Sequence, residues 1–195
     1  MDAGSVPKRF RIRVANKFNF QLRSEDRRRP FPHKVIVGQG DNESIRHVAF
    51  KFLAYLLFFR ERIQIETDVQ NDNIPFVPDL AVLAYDMRPI LWVECGECTV
   101  SKLHKLAVKC PDAEIWIVKR CQADAEHLLA AMEKEELRTG RYGVVAFDPE
   151  FFDEVCGLIG ERNSVTWYRG GFDPAEMQFE LNGLWFETTF EILRR

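Results

Sequence analysis

The stretch Phe76-Val-Pro-Asp-Leu-Ala-Val-Leu-Ala-Tyr-Asp-Met-Arg-Pro-Ile-Leu-Trp-Val-Glu-Cys-Gly96 decides how the rest of the chain is read. Leu80–Tyr85 and Ile90–Cys95 are apolar at odd and even positions alike, the pattern of strands buried on both faces. Asp86–Pro89 joins them, and Pro89 is tolerable at a strand start. A turn centred on Asp86–Met87 makes a hairpin in which Asp79 stands opposite Glu94. Such neighbours have Cβ atoms about 5 Å apart. Two carboxylates at the end of an apolar hairpin repel each other and lose solvation, and a shared divalent cation relieves both. All-carboxylate ligation, completed by the backbone carbonyl of Cys95 and by water, suits Mg2+ or Mn2+ rather than zinc. Such an ion acidifies a bound water and stabilises charge on a phosphoryl oxygen. An Asp after Pro and a strand-terminal Glu also serve as ordinary turn and surface residues, so spacing alone leaves that alternative open.

Upstream, Phe10, Ile12 and Val14, then Phe18, Phe20 and Leu22, alternate with polar residues, which predicts a long half-buried strand bent near Asn16. Lys34–Val37 reads as its antiparallel partner. Asp41 or Asn42 caps a helix over 43–60, whose Ile45, Val48, Ala49, Phe52, Leu56 and Phe59 recur at helical spacing. Ile63–Glu66 is a short strand. Downstream, Thr99–Cys110, Ala123–Leu137 and Glu150–Ile159 read as helices. Glu114–Lys119, Gly143–Phe147, Ser164–Tyr168, Gln178–Leu181 and Leu184–Phe190 read as strands, the last two around an Asn182–Gly183 turn. This order predicts an α/β fold: a central mixed β-sheet flanked by helices on both faces, with an additional C-terminal β-hairpin. One domain is expected over 1–195, with a core at 8–120 and a completing segment at 121–195.

The 195 residues are 46% hydrophobic and 29% charged, which excludes disordered, collagen-like and disulfide-scaffold classes. The net charge of −3 conceals a division. Residues 1–60 carry 13 Lys/Arg against 5 Asp/Glu, and residues 61–195 carry 14 against 25. The basic third offers Arg11, Arg13 and the loop arginines Arg27, Arg28 and Arg29 as phosphate contacts to nucleic acid, a salt-dependent and sequence-independent attraction. No apolar run approaches the ~20 residues of a membrane span. Met1–Phe10 lacks the apolar core of an export signal. With five cysteines, an odd number, a cytoplasmic protein with reduced thiols and no membrane partner is expected. Cys95-x-x-Cys98 has no second pair to complete a zinc site, and Glu94 and Glu97 raise rather than lower a thiol pKa. His33, His47 and His127 have no evident partners.

Pro78-Asp79, the hairpin and Glu94-x-Gly96 resemble the PD-(D/E)xK nuclease superfamily, and more closely the YaeQ family within it. Asn42-Glu43 at the helix start, Phe52-Leu-Ala-Tyr-Leu56 within it, Glu61-Arg-Ile-Gln64 after it, Leu91-Trp-Val-Glu94, Gly96 and Lys105 carry that likeness. The resemblance implies a restriction-endonuclease-like fold and Mg2+- or Mn2+-dependent phosphodiester hydrolysis on DNA or RNA. It implies Asp79 and Glu94 as catalytic metal ligands and Glu43 as an auxiliary acid. The superfamily's lysine, two residues after the second acid, is Gly96 here. A lysine from the following helix is the substitute: resemblance favours Lys105, and helical geometry favours Lys102. Two expectations follow, a metal-dependent nuclease or a non-catalytic descendant that binds nucleic acid or a protein. Gly96 is the main support for the second.

Overall fold

The computed structural model describes residues 14–67, 69 and 74–195. In chain order the elements are β1 (Val14–Ser24), β2 (Lys34–Gly40), α1 (Ile45–Phe58), β3 (Gln64–Ile65), β4 (Leu80–Leu83) and β5 (Pro89–Cys95). There follow α2 (Val100–Lys109), β6 (Glu114–Lys119), α3 (Gln122–Lys134), β7 (Tyr142–Ala146) and α4 (Pro149–Leu158). The chain closes with β8 (Arg162–Phe172), β9 (Ala175–Leu181), β10 (Leu184–Thr189) and β11 (Glu191–Arg194). Among the described residues no helix is long and apolar enough to cross a membrane.

Every residue of α1 from Val48 to Phe58 is buried. A helix buried all round needs apolar neighbours on every side, and α1 finds them between two mixed sheets. The first sheet runs β10-β9-β8-β1-β2, with β1 parallel to β8 and the other pairs antiparallel. The second runs β11-β7-β6-β5-β4-β3, with β5-β6-β7 parallel and antiparallel strands at both margins. Phe18, Phe20, Trp167 and Phe179 from the first sheet, α1 and α4, and Leu80, Val93 and Val118 from the second make one core. On the far face of the second sheet, Trp92, Ile115 and Ile117 pack against Leu103 and Leu106 of α2 and Leu128 and Met132 of α3 in another.

The expectation of one central sheet is therefore corrected to two. Alternation located the strands but not their partners, because β1 pairs with β8 across more than a hundred residues. The C-terminal hairpin is present as β9–β10, and Asn182 and Gly183 at its turn have φ of 53° and 86°. It is an integral edge of the first sheet rather than an addition. The chain leaves it at the buried Phe190 and contributes β11 to the second sheet. The expected helix over 43–60 is also shorter. It starts after Ser44, because the Glu43 carboxylate folds back to accept the Gly40 N–H at 2.9 Å. A register shift in β1 between Val14 and Asn16 lies where a bend was expected.

The hairpin has the expected register over its length away from the turn, where Leu80 pairs with Val93, Ala81 with Trp92 and Val82 with Leu91. It then shifts by one residue between Val82 and Leu83, so that Leu83 meets Pro89 rather than Ile90. All of β4, and β5 apart from Ile90, is buried. The open end of this hairpin meets the N-terminal end of α1.

Candidate metal centre

Asp79 stands one residue before β4 and has both oxygens engaged. Oδ1 lies 2.7 Å from His47 Nε2, and Oδ2 accepts the Cys95 backbone N–H at 2.6 Å. Glu43, just ahead of α1, brings Oε1 to 3.3 Å from the same His47 nitrogen. Ligating atoms of Glu43, His47 and Asp79 all lie within 4.8 Å of one another. Burial pulls the His47 pKa down, but the hydrogen bond to Asp79 and the charges of Asp79 and Glu43 outweigh it and hold the imidazole above its ordinary value.

Glu94 lies outside that set. Its side chain is 4% exposed, and it accepts the Trp92 indole N–H at 2.6 Å and the Lys102 ammonium at 2.6 Å. Burial pushes its carboxyl upward, the Lys102 charge draws it back, and Asp79 pushes it up again, for a net rise. Asp79 thus faces α1, while Glu94 shares its side of the sheet with Trp92 and turns to α2. Lys102 reaches Glu94 because Thr99 caps α2, accepting the Lys102 N–H at 3.2 Å and fixing this lysine in the first turn. Lys105, one turn further on, is exposed.

Cys95 enters the site through its amide. Gly96, where the resemblance places a lysine, has φ +70°, a left-handed turn that glycine adopts without the Cβ penalty. A Cβ there would stand 3.4 Å from Phe50 and 3.8 Å from His47 Nδ1. A lysine is nonetheless present beside it: Lys119, at the end of the adjacent β6, is 6% exposed and donates to the Gly96 carbonyl at 2.8 Å. Glu43, His47, Arg46, Lys119, Arg120 and Asp124 line a cleft of about 450 Å³. Asp153 holds Arg120 at 2.5 Å and Arg46 at 3.7 Å.

The arginine loop lies elsewhere. Arg29 Nη1 donates to the Leu56 and Leu57 carbonyls at 2.6 and 3.1 Å, and its guanidinium sits 5.0 Å from the Trp167 ring centre. Leu56 is nine residues beyond His47, about 14 Å along the helix. Arg28 pairs with Asp26 at 3.1 Å, and Arg27 is exposed. Arg11 and Arg13 fall outside the described residues. All five cysteines are free. Burial raises the thiol of Cys98 to about 12 and those of Cys110 and Cys156 to about 11, so they are protonated at neutral pH.

Four participants escaped the sequence reading: His47, Lys51, Glu66 and Lys119. The fully buried Lys51 donates to Glu43 Oε2 at 2.7 Å, Glu66 Oε1 at 2.5 Å and the Gly38 carbonyl at 2.8 Å. Burial lowers its pKa, and the two carboxylates more than reverse that. A signal existed: Glu43, His47 and Lys51 recur every four residues, the spacing of one helix face.

Two mixed sheets enclosing a buried helix, with an acid- and imidazole-lined cleft at its N-terminal end, define a mixed α/β protein with a candidate metal centre. The family model described as "YaeQ protein" matches residues 14–167, and the chain belongs to that family. The YaeQ protein from Xanthomonas axonopodis pv. citri has a similar crystal structure: TM-score 0.70 at 20% identity, covering 92% of this chain and 98% of that one. The YaeQ protein from Pseudomonas syringae gives 0.69 at 14% identity, covering 91% and 94%. No curated protein gives a significant match.

Proposed function

We propose that this protein is a metal-dependent phosphodiester hydrolase acting on nucleic acid, of the PD-(D/E)xK type, with a divalent cation held by Glu43, His47 and Asp79. One observation carries the reading: donor atoms of these three residues lie within 4.8 Å of one another, and two of them, Glu43 and His47, line a cleft together with Lys119 and Arg46. The donor set fits a cation, since two carboxylates converge on one imidazole nitrogen. It alters the expected metal, because an imidazole ligand suits Mn2+ better than Mg2+. When bound, the ion supplies an acidified water and a charge opposite the phosphoryl oxygen.

The chain's own residues do the positioning. The Cys95 N–H fixes one Asp79 oxygen and so orients the other towards His47. Lys119 and Arg46 place positive charge where a phosphate would enter. Lys102, rather than Lys105, is the lysine on the second acid, Glu94. Arg27 and Arg28 remain exposed for contact with a more distant stretch of DNA or RNA backbone.

The test is cleavage of single-stranded, duplex and branched DNA and RNA with Mn2+ or Mg2+, comparing wild type with Asp79→Ala. Cleavage by wild type alone supports the proposal; equal cleavage by both proteins marks a contaminant.

A second reading, a non-catalytic nucleic-acid- or protein-binding descendant, has its own observation. Each acid already has a basic partner in the chain: His47 on Asp79, Lys51 on Glu43 and Lys102 on Glu94. Saturable nucleic-acid binding without cleavage under either metal would favour it.

A further inference from the structure

Lys51 is fully buried in the middle of an apolar helix. An ammonium ion in such a place is strongly unfavourable unless anions and acceptors surround it. Three oxygens do so: Glu43 Oε2, Glu66 Oε1 and the Gly38 carbonyl, at 2.5–2.8 Å. Two are carboxylate oxygens and the third is a backbone carbonyl, a donor set that hard divalent cations also use.

The backbone is shaped to deliver them. Glu66 follows β3 with φ +49°, a conformation that residues other than glycine seldom adopt. Its N–H donates to the Asp79 carbonyl at 2.9 Å, which ties it to the candidate centre. Glu43 faces both ways, with Oε1 towards His47 at 3.3 Å and Oε2 towards Lys51 at 2.7 Å. That is the disposition of a carboxylate shared between two cations, as in two-metal centres whose ions lie roughly 3.5–4 Å apart.

We propose that the Lys51 ammonium occupies the place of a second cation, so that the centre holds one divalent ion per chain and Lys51 sets that number. The inference rests on the reading of Glu43, His47 and Asp79 as the metal centre. It goes further in fixing the stoichiometry and in assigning Glu66, which that reading leaves unused, to the second position. A lysine serving only as a structural ion pair would leave the number of bound ions unchanged when removed.

The experiment counts Mn2+ per chain by equilibrium dialysis and EPR in wild type, Lys51→Ala and Lys51→Met. Lys51→Ala clears space for an ion and its waters, whereas Lys51→Met fills it with an apolar chain. The expected counts are one for wild type, two for Lys51→Ala with spin coupling between the ions, and no more than one for Lys51→Met. Two ions in wild type overturn the proposal. So does a single ion in folded Lys51→Ala, and that result leaves the metal-centre reading standing. No ion in wild type removes the centre itself, and the proposal with it. If Lys51→Ala is unfolded in chelator, Ca2+ or Mn2+ is expected to fold it, because the ion replaces the missing charge. Failure to fold with either ion overturns the proposal.

Discussion

At the C-terminal end of α1, Arg29 donates to the carbonyls of Leu56 and Leu57 and lies over Trp167, while Phe31 packs on Phe59 with ring centres 4.4 Å apart. At the N-terminal end, Ser44 is the cap residue but makes no side-chain cap bond, and Glu43 turns away to Lys51 and the Gly40 N–H. The first arrangement is what helix physics asks for. Orphan carbonyls and the negative end of the dipole meet a cation, and aromatic rings seal the junction. The second leaves the helix start without its usual side-chain acceptor and gathers acids beside a buried lysine. Departure from local rules at one end only is what a functional or strained site produces, and it is at this end that the proposed metal centre lies. The two ends can be separated by experiment.

The largest expected effect is at the N-terminal end. Asp79→Ala removes a proposed ligand and strands both His47 and the Cys95 N–H. Saturable Mn2+ binding should vanish in calorimetric titration, and unfolding stability should fall by about 1–3 kcal/mol from the lost acceptor. Undiminished Mn2+ affinity would remove this end's claim to function.

The matching change at the other end is Arg29→Met. It keeps much of the side chain over Trp167 and deletes the donor to two carbonyls, so urea denaturation should show a loss of about 1–2 kcal/mol. Mn2+ affinity should remain within about twofold of wild type, since the helix places the two ends about 14 Å apart. A parallel loss of metal affinity would break the comparison.

These residues also show what the sequence could and could not convey. The β4–β5 register was legible because both runs are apolar on both faces and Asp86–Pro89 punctuates them; Asp79 and Glu94 were read from that frame, whereas Glu43 entered only through the family resemblance. Lys51 was not, because a lysine inside an apolar helix reads as solvent-facing until Glu66, fifteen residues away, is known to cover it. Arg29 drew attention as a phosphate contact for a similar reason. Three consecutive arginines look alike in a loop, and only the fold puts one of them on a helix end. The indole partner of Glu94 had a readable trace: Trp92, two residues earlier on the same face of the strand, offers an N–H.

A smaller effect tests Gly96, which adjoins the N-terminal site. Gly96→Ala forces a Cβ into a φ of +70° and towards Phe50, so about 1–2 kcal/mol of stability should be lost in thermal or urea unfolding. The Mn2+ count should stay at its wild-type value, because the glycine contributes backbone shape rather than a ligand. A changed count would draw the residue into the centre and enlarge the functional end.

The smallest effect belongs to the C-terminal end and is read most clearly through pH. Arg60, just past α1, holds Glu114 of β6 at 3.1 Å. Burial alone would raise the Glu114 carboxyl, but the hydrogen bond and charge of Arg60, with help from the Trp116 indole, lower it below its ordinary value. A carboxyl depressed in the folded state stabilises the fold above its unfolded pKa, and that contribution is lost as pH falls through the folded pKa. Both partners are substantially exposed, so solvent screening limits the pair to a few tenths of a kcal/mol. Glu114→Gln should therefore lower stability slightly at neutral pH and flatten the acid limb of the stability curve below about pH 4.5. Added salt should shrink the difference between the two proteins. If Glu114→Gln instead altered Mn2+ affinity at neutral pH, charge at the C-terminal end would be coupled to the cleft, and the division of α1 into a structural end and a functional end would fail.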